Sequence, residues 1–208
     1  MRDSRLHGVY AITDPVLCSA QLTEKVLAAI DGGIKILQYR NKQASRDCQQ
    51  EEASRLLTLC RQHKILFIIN DDVELAADVD ADGVHLGQQD RILIEARQHL
   101  GPDKIIGISC NNRFDYALTA QQQGANYVAF GRFFPSHTKP QAPQADITLL
   151  QRAATELQLP VVAIGGITPA NGRQLIAAGA DMLAVIHGIF AQHNVRQAAQ
   201  RYAKLFED

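Results

Sequence analysis

The chain has 208 residues, 46% of them hydrophobic and 21% charged, with 14 Gly and 7 Pro. Those values exclude disordered, collagen-like and low-complexity classes. With 21 basic and 22 acidic residues the net charge is −1, so no global field favours nucleic acid or anionic lipid.

The N-terminus, Met1-Arg2-Asp3-Ser4-Arg5-Leu6-His7, has no apolar stretch of the signal-peptide kind. Short apolar runs follow at Gly8–Thr13, Ile34–Arg40, Ile65–Asn70, Gly83–Leu86, Ile105–Ser109, Tyr127–Gly131, Val161–Gly165 and Met182–Ile186. They are continuous rather than alternating, which is how strands buried on both faces read. Amphipathic stretches lie between them. Residues 22–31 place Leu22, Val26, Ala29 and Ile30 on one helical face, and residues 45–63 do the same with Ala53, Leu56, Leu57 and Cys60. Small turns precede several strands: Asp31-Gly32-Gly33, Ala81-Asp82-Gly83, Gly124-Ala125-Asn126 and Gly179-Ala180-Asp181.

Eight strand–helix units in 208 residues leave about 26 residues for each. No linker interrupts the series. The pattern predicts an α/β protein, one compact (β/α)8 TIM barrel spanning residues 1–208 as a single catalytic domain. An open doubly wound sheet is the alternative. It is disfavoured by the unit count and by the lack of Gly-x-Gly-x-x-Gly after the first strand. The longest aliphatic or aromatic run, Ile65–Ile69, falls far short of the ~20 residues of a spanning helix. Cys18, Cys48, Cys60 and Cys110 form no Cys-x-x-Cys pair. They predict reduced thiols in a cytoplasmic protein, not a zinc site or disulfide framework.

In such barrels chemistry gathers at the C-terminal strand ends. After the second strand, Gln38, Arg40 and Lys42 alternate and share one side. An amide and two cations there suit a diphosphate; incidental charges on a solvated loop are the other reading. After the third strand comes Asn70-Asp71-Asp72, and some residue of it caps the next helix. After the fourth, His85-Leu86-Gly87-Gln88-Gln89-Asp90 brings a second carboxylate. Asp71 and Asp90 can converge, and carboxylates facing a diphosphate call for a hard cation, usually Mg2+. His85 reads as a packed or orienting histidine rather than a catalyst. Cys110 has no activating neighbour, so it is not a nucleophile.

The longest loop, 131–143, holds Ser136, His137, Thr138 and Lys139 behind a Phe133-Phe134 anchor. After the seventh strand, Gly165-Gly166 permits close approach to an anion, and Thr168-Pro169 reads as a helix cap and first turn. After the eighth, Ile186-His187-Gly188 opens a short helix. A phosphate site built from the last two loops recurs in this fold. One rim thus suits a phosphorylated acceptor and a diphosphate donor, hence group transfer with loss of pyrophosphate.

Taken together, these motifs resemble the thiamine phosphate synthase family over nearly the whole chain. They are Tyr10-Ala11-Ile12-Thr13-Asp14, Gln38-x-Arg40-x-Lys42, Asn70-Asp71, Gly83-Val84-His85-Leu86-Gly87-Gln88 with Asp90, Gly107-Ile108-Ser109, Phe130-Gly131 to Thr138-Lys139-Pro140, and Ala163-Ile164-Gly165-Gly166-Ile167. The resemblance implies coupling of hydroxymethylpyrimidine diphosphate with hydroxyethylthiazole phosphate, through a pyrimidinyl-methyl cation left when pyrophosphate departs. It implies that Gln38, Tyr39, Arg40, Asn41, Lys42, Asn70, Ser109 and Lys139 bind the diphosphate donor. Arg40, Lys42, Lys139 and Ser109 are the implied catalytic groups, and Asp71 and Asp90 the implied Mg2+ ligands. Ser136, His137, Thr138, Gly166, Ile186 and His187 are the implied contacts of the thiazole phosphate. Two positions depart from the family pattern: Ser136 stands for the usual first Thr of Thr-x-Thr-Lys, and His187 for the usual Ser. A thiazole tautomerase and a non-catalytic phosphate-ligand sensor on the same barrel are the competing functions. Expected partners are small-molecule substrates only, with no nucleic acid and no membrane, and a homo-oligomer is left open.

Overall fold

A computed structural model describes residues 3–88, 92–136 and 141–207. Eight parallel strands pair in chain order and close into a barrel. They are β1 (Gly8–Ile12), β2 (Ile36–Tyr39), β3 (Leu66–Asn70), β4 (Gly83–Leu86), β5 (Ile105–Asn111), β6 (Tyr127–Gly131), β7 (Val161–Ile164) and β8 (Met182–Val185). The helices are α1 (Pro15–Cys18), α2 (Leu22–Asp31), α3 (Arg46–His63), α4 (Val73–Asp78), α5 (Leu93–Leu100), α6 (Phe114–Gln122), α7 (Ile147–Glu156), α8 (Pro169–Ala177), α9 (His187–Phe190) and α10 (Val195–Ala203). Pairing of β8 with β1 rules out the open sheet. Among the described residues no helix is long and apolar enough to cross a membrane.

Successive strand residues point to opposite faces. Tyr10, Ile12, Ile36, Ile68, Ile105, Tyr127, Val162 and Met182 pack inside the barrel. Val9, Ala11, Leu37, Phe67, Ile69 and Val84 pack outward with the buried helix faces. Both faces are therefore apolar, which is why the strands read as unbroken runs. The helix faces are those expected: α2 buries Leu22, Val26, Ala29 and Ile30, and α3 buries Ala53, Leu56, Leu57 and Cys60. Strand ends differ slightly from the sequence reading. β1 and β2 stop one residue short because Thr13 and Arg40 bond each other instead, with the Thr13 hydroxyl accepting from the Arg40 N–H at 2.8 Å. β5 runs two residues further because its register with β6 shifts between Ser109 and Asn111.

The small turns before the strands do more than reverse the chain. Asp82 accepts from the Phe67 N–H at 2.7 Å, Asn126 from the Ile106 N–H at 2.8 Å and Asp181 from the Val161 N–H at 2.8 Å. Each turn residue also donates its own N–H to the carbonyl of the same partner. The side chain thus clips β3 to β4, β5 to β6 and β7 to β8 at the base of the barrel. Before β2 the matching position is Lys35, which keeps the backbone half of the clip, donating to Val9 O at 2.9 Å.

One interior position depends on having no side chain. A Cβ on Gly107 would lie 2.0 Å from Cζ of Tyr127, whose ring is fully buried. Overpacking of this kind costs about 1–3 kcal/mol. Gly107→Ala is expected to lose about 3 kcal/mol in urea unfolding, the upper end of that range, because the contact is with a ring that has no space to retreat. A midpoint equal to wild type would contradict that account.

Candidate active site

The C-terminal strand ends surround a cavity of about 470 Å3. Gln38, Arg40, Asn70, His85 and Ser109 line the wall made by β2 to β5 and their loops. Ser136, Gly166, Ile186 and His187 line it from the loops after β6, β7 and β8. The structure thus brings part of each expected group to a single opening, whose wall does not include Tyr39, Asn41, Lys42 or Asp71.

Alternation along β2 decides which side chains face inward. Gln38 and Arg40 reach the cavity; Tyr39 and Asn41 turn the other way. The Tyr39 hydroxyl donates to Glu52 Oε2 at 2.6 Å, and Asn41 Nδ2 donates to the same oxygen at 3.0 Å. Burial and the Glu52 carboxylate push the Tyr39 phenol above its ordinary range. Gln49 Nε2 donates to the Asn41 carbonyl at 2.6 Å. These side chains pin the loop that carries Arg40, and neither Tyr39 nor Asn41 lines the cavity. Lys42 is also absent from the cavity wall. Its ammonium lies 2.6 Å from Asp71 Oδ2.

Asp72, not Asp71, caps α4, accepting from the Leu75 N–H at 2.7 Å. Asp71 adopts φ +63°, a left-handed conformation that Asp tolerates better than most residues. Its N–H donates to the His85 carbonyl at 2.8 Å. The Asp71 carboxylate is therefore not spent on the helix start. Asp90, His137, Thr138 and Lys139 lie outside the described residues.

Beneath the cavity stand Tyr10 and Tyr127, both buried, with their hydroxyls 2.8 Å apart. Burial raises both phenols above their usual range, so both stay protonated. His85 sits between the hydroxyls of Tyr127 and Ser109, the orienting placement expected of it. Cys110 is buried, and burial pushes its thiol up to about 12. A thiol raised in this way holds little thiolate at neutral pH, whereas a nucleophile needs a lowered one.

The loop after β6 is anchored by Phe133, which is buried. The Phe133 N–H donates to Ile164 O at 3.1 Å and the Phe134 N–H to Gly165 O at 3.0 Å. Gly165 and Gly166 have φ +101° and +65°. A Cβ there would meet Arg132 Cβ at 2.3 Å and Pro135 O at 2.3 Å respectively. These glycines thus let the loop after β6 pack on the loop after β7, a role the sequence reading did not include. Thr168 caps α8 in a reciprocal capping box with Asn171, and Pro169 takes the first helical position. Tyr202 on α10 donates to Ile167 O at 2.9 Å and holds the end of the Gly165-Gly166-Ile167 turn. The short helix after β8 is present as α9, with His187 its first residue.

Tyr10, Asn111 and Arg132 also line the cavity, and the sequence reading gave them no role. Tyr10 carried a signal, a polar hydroxyl at an inward strand position. Arg132 carried only its place directly after Gly131 at the end of β6.

The sequence model of the family described as thiamine monophosphate synthase matches residues 9–189. A thiamine-phosphate synthase of Alcanivorax borkumensis is 48% identical over 207 residues, covering 98% of this chain and 95% of that protein. One of Thiobacillus denitrificans is 49% identical over 199 residues, with 96% and 94% covered. Among solved structures, a thiamine phosphate pyrophosphorylase from Pyrococcus furiosus superposes with TM-score 0.88 at 34% identity, covering 98% of this chain and 97% of that one.

Proposed function

The chain belongs to the thiamine monophosphate synthase family, transferases of thiamine biosynthesis, and from that premise we propose how its rim carries out the coupling. The donor is hydroxymethylpyrimidine diphosphate, and the acceptor is hydroxyethylthiazole phosphate. The carbon–oxygen bond to the diphosphate breaks, the electron pair leaves with pyrophosphate, and the thiazole nitrogen forms the new bond to the resulting pyrimidinyl-methyl cation. One observation carries this reading: Gln38, Arg40, Asn70 and Ser109 share a single cavity with Gly166 and His187. The first group offers a cation and neutral donors for a diphosphate. The second offers backbone N–H groups and an imidazole for a phosphate.

Each described residue then acts by binding and positioning. Arg40 faces the negative charge that grows on the leaving group, so its attraction strengthens in the transition state. Asn70 and Gln38 hold the donor, and Ser109 bonds it. Lys139 and Lys42 are assigned to the same diphosphate. Ser136, His137, Thr138, Gly166, Ile186 and His187 hold the thiazole phosphate beside it, which turns the second step into a reaction of neighbours. The buried Cys110 offers no competing nucleophile.

Among the described residues no three His, Cys, Asp or Glu side chains gather as a metal cage. Mg2+ needs none, because it is often held by one or two carboxylates together with substrate phosphates and water. Asp71 fits that pattern, with Asp90 as the second ligand of the proposal. When bound, Mg2+ supplies charge neutralisation to the departing pyrophosphate. Lys42 beside Asp71 is 57% exposed, and such ion pairs contribute only about 0.2–1 kcal/mol. Lys42 can therefore leave Asp71 for the diphosphate at little cost.

Residues 1–208 form one catalytic unit in this proposal, supported by the pairing of β8 with β1. A cytoplasmic setting belongs to it too, supported by free Cys18, Cys48, Cys60 and Cys110. With both substrates and Mg2+, the purified chain is expected to release pyrophosphate and thiamine phosphate in equal amounts. With the thiazole phosphate alone it should release neither. Absence of pyrophosphate with both substrates saturating would overturn the coupling reading and favour the tautomerase or sensor.

A further inference from the structure

Five polar side chains form one hydrogen-bonded chain through the barrel interior. Gln38 Nε2 donates to the Tyr10 hydroxyl at 2.8 Å. The Tyr10 and Tyr127 hydroxyls are 2.8 Å apart. The Tyr127 hydroxyl lies 3.0 Å from His85 Nδ1, and His85 Nε2 lies 2.9 Å from Ser109 Oγ. No mechanism described above needs this continuity, and it crosses strands β2, β1, β6, β4 and β5.

The chain has a direction. An amide nitrogen only donates, and a phenol has a single proton. Either phenol could donate across the Tyr10–Tyr127 contact, but the buried Tyr10 proton has no acceptor among these five side chains other than the Tyr127 oxygen, because the Gln38 nitrogen cannot accept; we therefore assign it to Tyr127. Tyr127 then accepts from Tyr10 and gives its proton to His85 Nδ1. A neutral imidazole that accepts at Nδ1 carries its proton on Nε2. That proton is donated to Ser109. Ser109 Oγ thus accepts from the chain and keeps its own proton for the cavity it lines.

We propose that this buried chain fixes His85 as its Nε2–H tautomer and makes Ser109 a hydrogen-bond donor toward the ligand. Tyr127 is then a positioning residue acting through His85. The ligand atom opposite Ser109 must be an acceptor, such as a phosphate oxygen, and a donor group there is rejected. Naming that atom as a diphosphate oxygen rests on the coupling reaction proposed above; the tautomer does not.

The surroundings hold these side chains in place. The His85 ring stacks on Tyr127 at 5.5 Å between centroids, and Tyr10 meets Tyr127 edge-on at 6.0 Å. Gly107 leaves the space that the Tyr127 ring fills. Burial keeps both phenols protonated, so each retains the single proton that the direction requires. Interior hydrogen bonds also polarise one another, which strengthens the final donor.

Nitrogen-15 spectra of the labelled, ligand-free full chain at pH 8 test the tautomer directly, with the His85 signals assigned by their loss in His85→Gln. The expected result is a protonated Nε2 and a bare Nδ1. A protonated Nδ1 in wild type overturns the proposal, whatever the enzyme's activity. In Tyr127→Phe the Nδ1 acceptor loses its donor, and the spectra should shift toward a mixture of tautomers. In the coupling assay kcat/KM for the pyrimidine diphosphate should fall about tenfold, the size of one lost hydrogen bond, with KM for the thiazole phosphate unchanged. If Tyr127→Phe does not fold, Tyr10→Phe removes the donor into the Tyr127 oxygen, which can then accept from a His85 Nδ1–H, and the same signals should blur. A variant that alters neither tautomer nor kinetics overturns the proposal. An Nε2–H tautomer in a chain that couples nothing leaves it standing and removes the coupling reading instead.

Discussion

Asp71→Asn is expected to lower coupling by about a thousandfold and to abolish the response to Mg2+, with the melting temperature held. The substitution is nearly isosteric. The cap of α4 belongs to Asp72 and is untouched. The Asp71 N–H keeps its bond to the His85 carbonyl. Asn tolerates the left-handed φ of +63° as well as Asp does. What goes is a carboxylate, the ligand type that a hard cation prefers. Metal stabilisation of a developing charge supplies several kcal/mol, and about 4 kcal/mol corresponds to the expected loss. Lys42 loses a partner, but an ion pair whose lysine is this exposed contributes too little to explain such a fall. Calorimetric titration of Mg2+ in the presence of pyrophosphate gives a readout independent of turnover. Wild-type turnover with an intact Mg2+ response would remove Asp71 from the metal site. Asp90→Asn carries the same expectation.

Arg40→Ala should lower kcat and kcat/KM for the pyrimidine diphosphate together, by about a hundredfold. Loss of one donor aimed at developing charge costs on the order of 3 kcal/mol. Parallel falls mark an interaction made in the transition state, whereas a raised KM alone marks uniform binding. The loop itself should stay in place. Arg40 is held through its backbone, by the Thr13 hydroxyl at 2.8 Å, and its neighbours Tyr39 and Asn41 are held by Glu52. A variant with normal kcat and a raised KM only for the thiazole phosphate would move Arg40 to the acceptor. Lys139→Ala is expected to behave as Arg40→Ala does.

The barrel was legible because strands buried on both faces and helices buried on one leave different periodicities. Rim positions followed from strand ends, so Gln38, Arg40, Asn70 and Ser109 could be placed before any contact was seen. Contacts between separate loops were not legible. The Lys42–Asp71 pair joins the loops after β2 and β3, and no local pattern reports how far apart those side chains stand. Tyr39 and Asn41 were named with the whole motif, although strand alternation turns them toward Glu52. Gly165 and Gly166 were read for an anion, while the loop packed against them was out of sight in the sequence. The Tyr10–Tyr127 contact joins residues 117 positions apart, so the inward hydroxyl of Tyr10 was legible but its partner was not.

The clips at the base divide the molecule differently from the rim. Asp82, Asn126 and Asp181 each fasten a strand to the one just before it in the chain. Every clip therefore lies inside one continuous strand–helix–strand segment, and none spans the connections after β2, β4 or β6. The ring is a set of prefastened pairs joined by plain ladders. New chain ends opened in those three connections would leave every clip within an unbroken stretch of backbone. The same cuts after β3, β5 or β7 would make each clip join two separate ends of the chain. The order in which the barrel can be cut and rejoined is thus written in three side chains far from its chemistry.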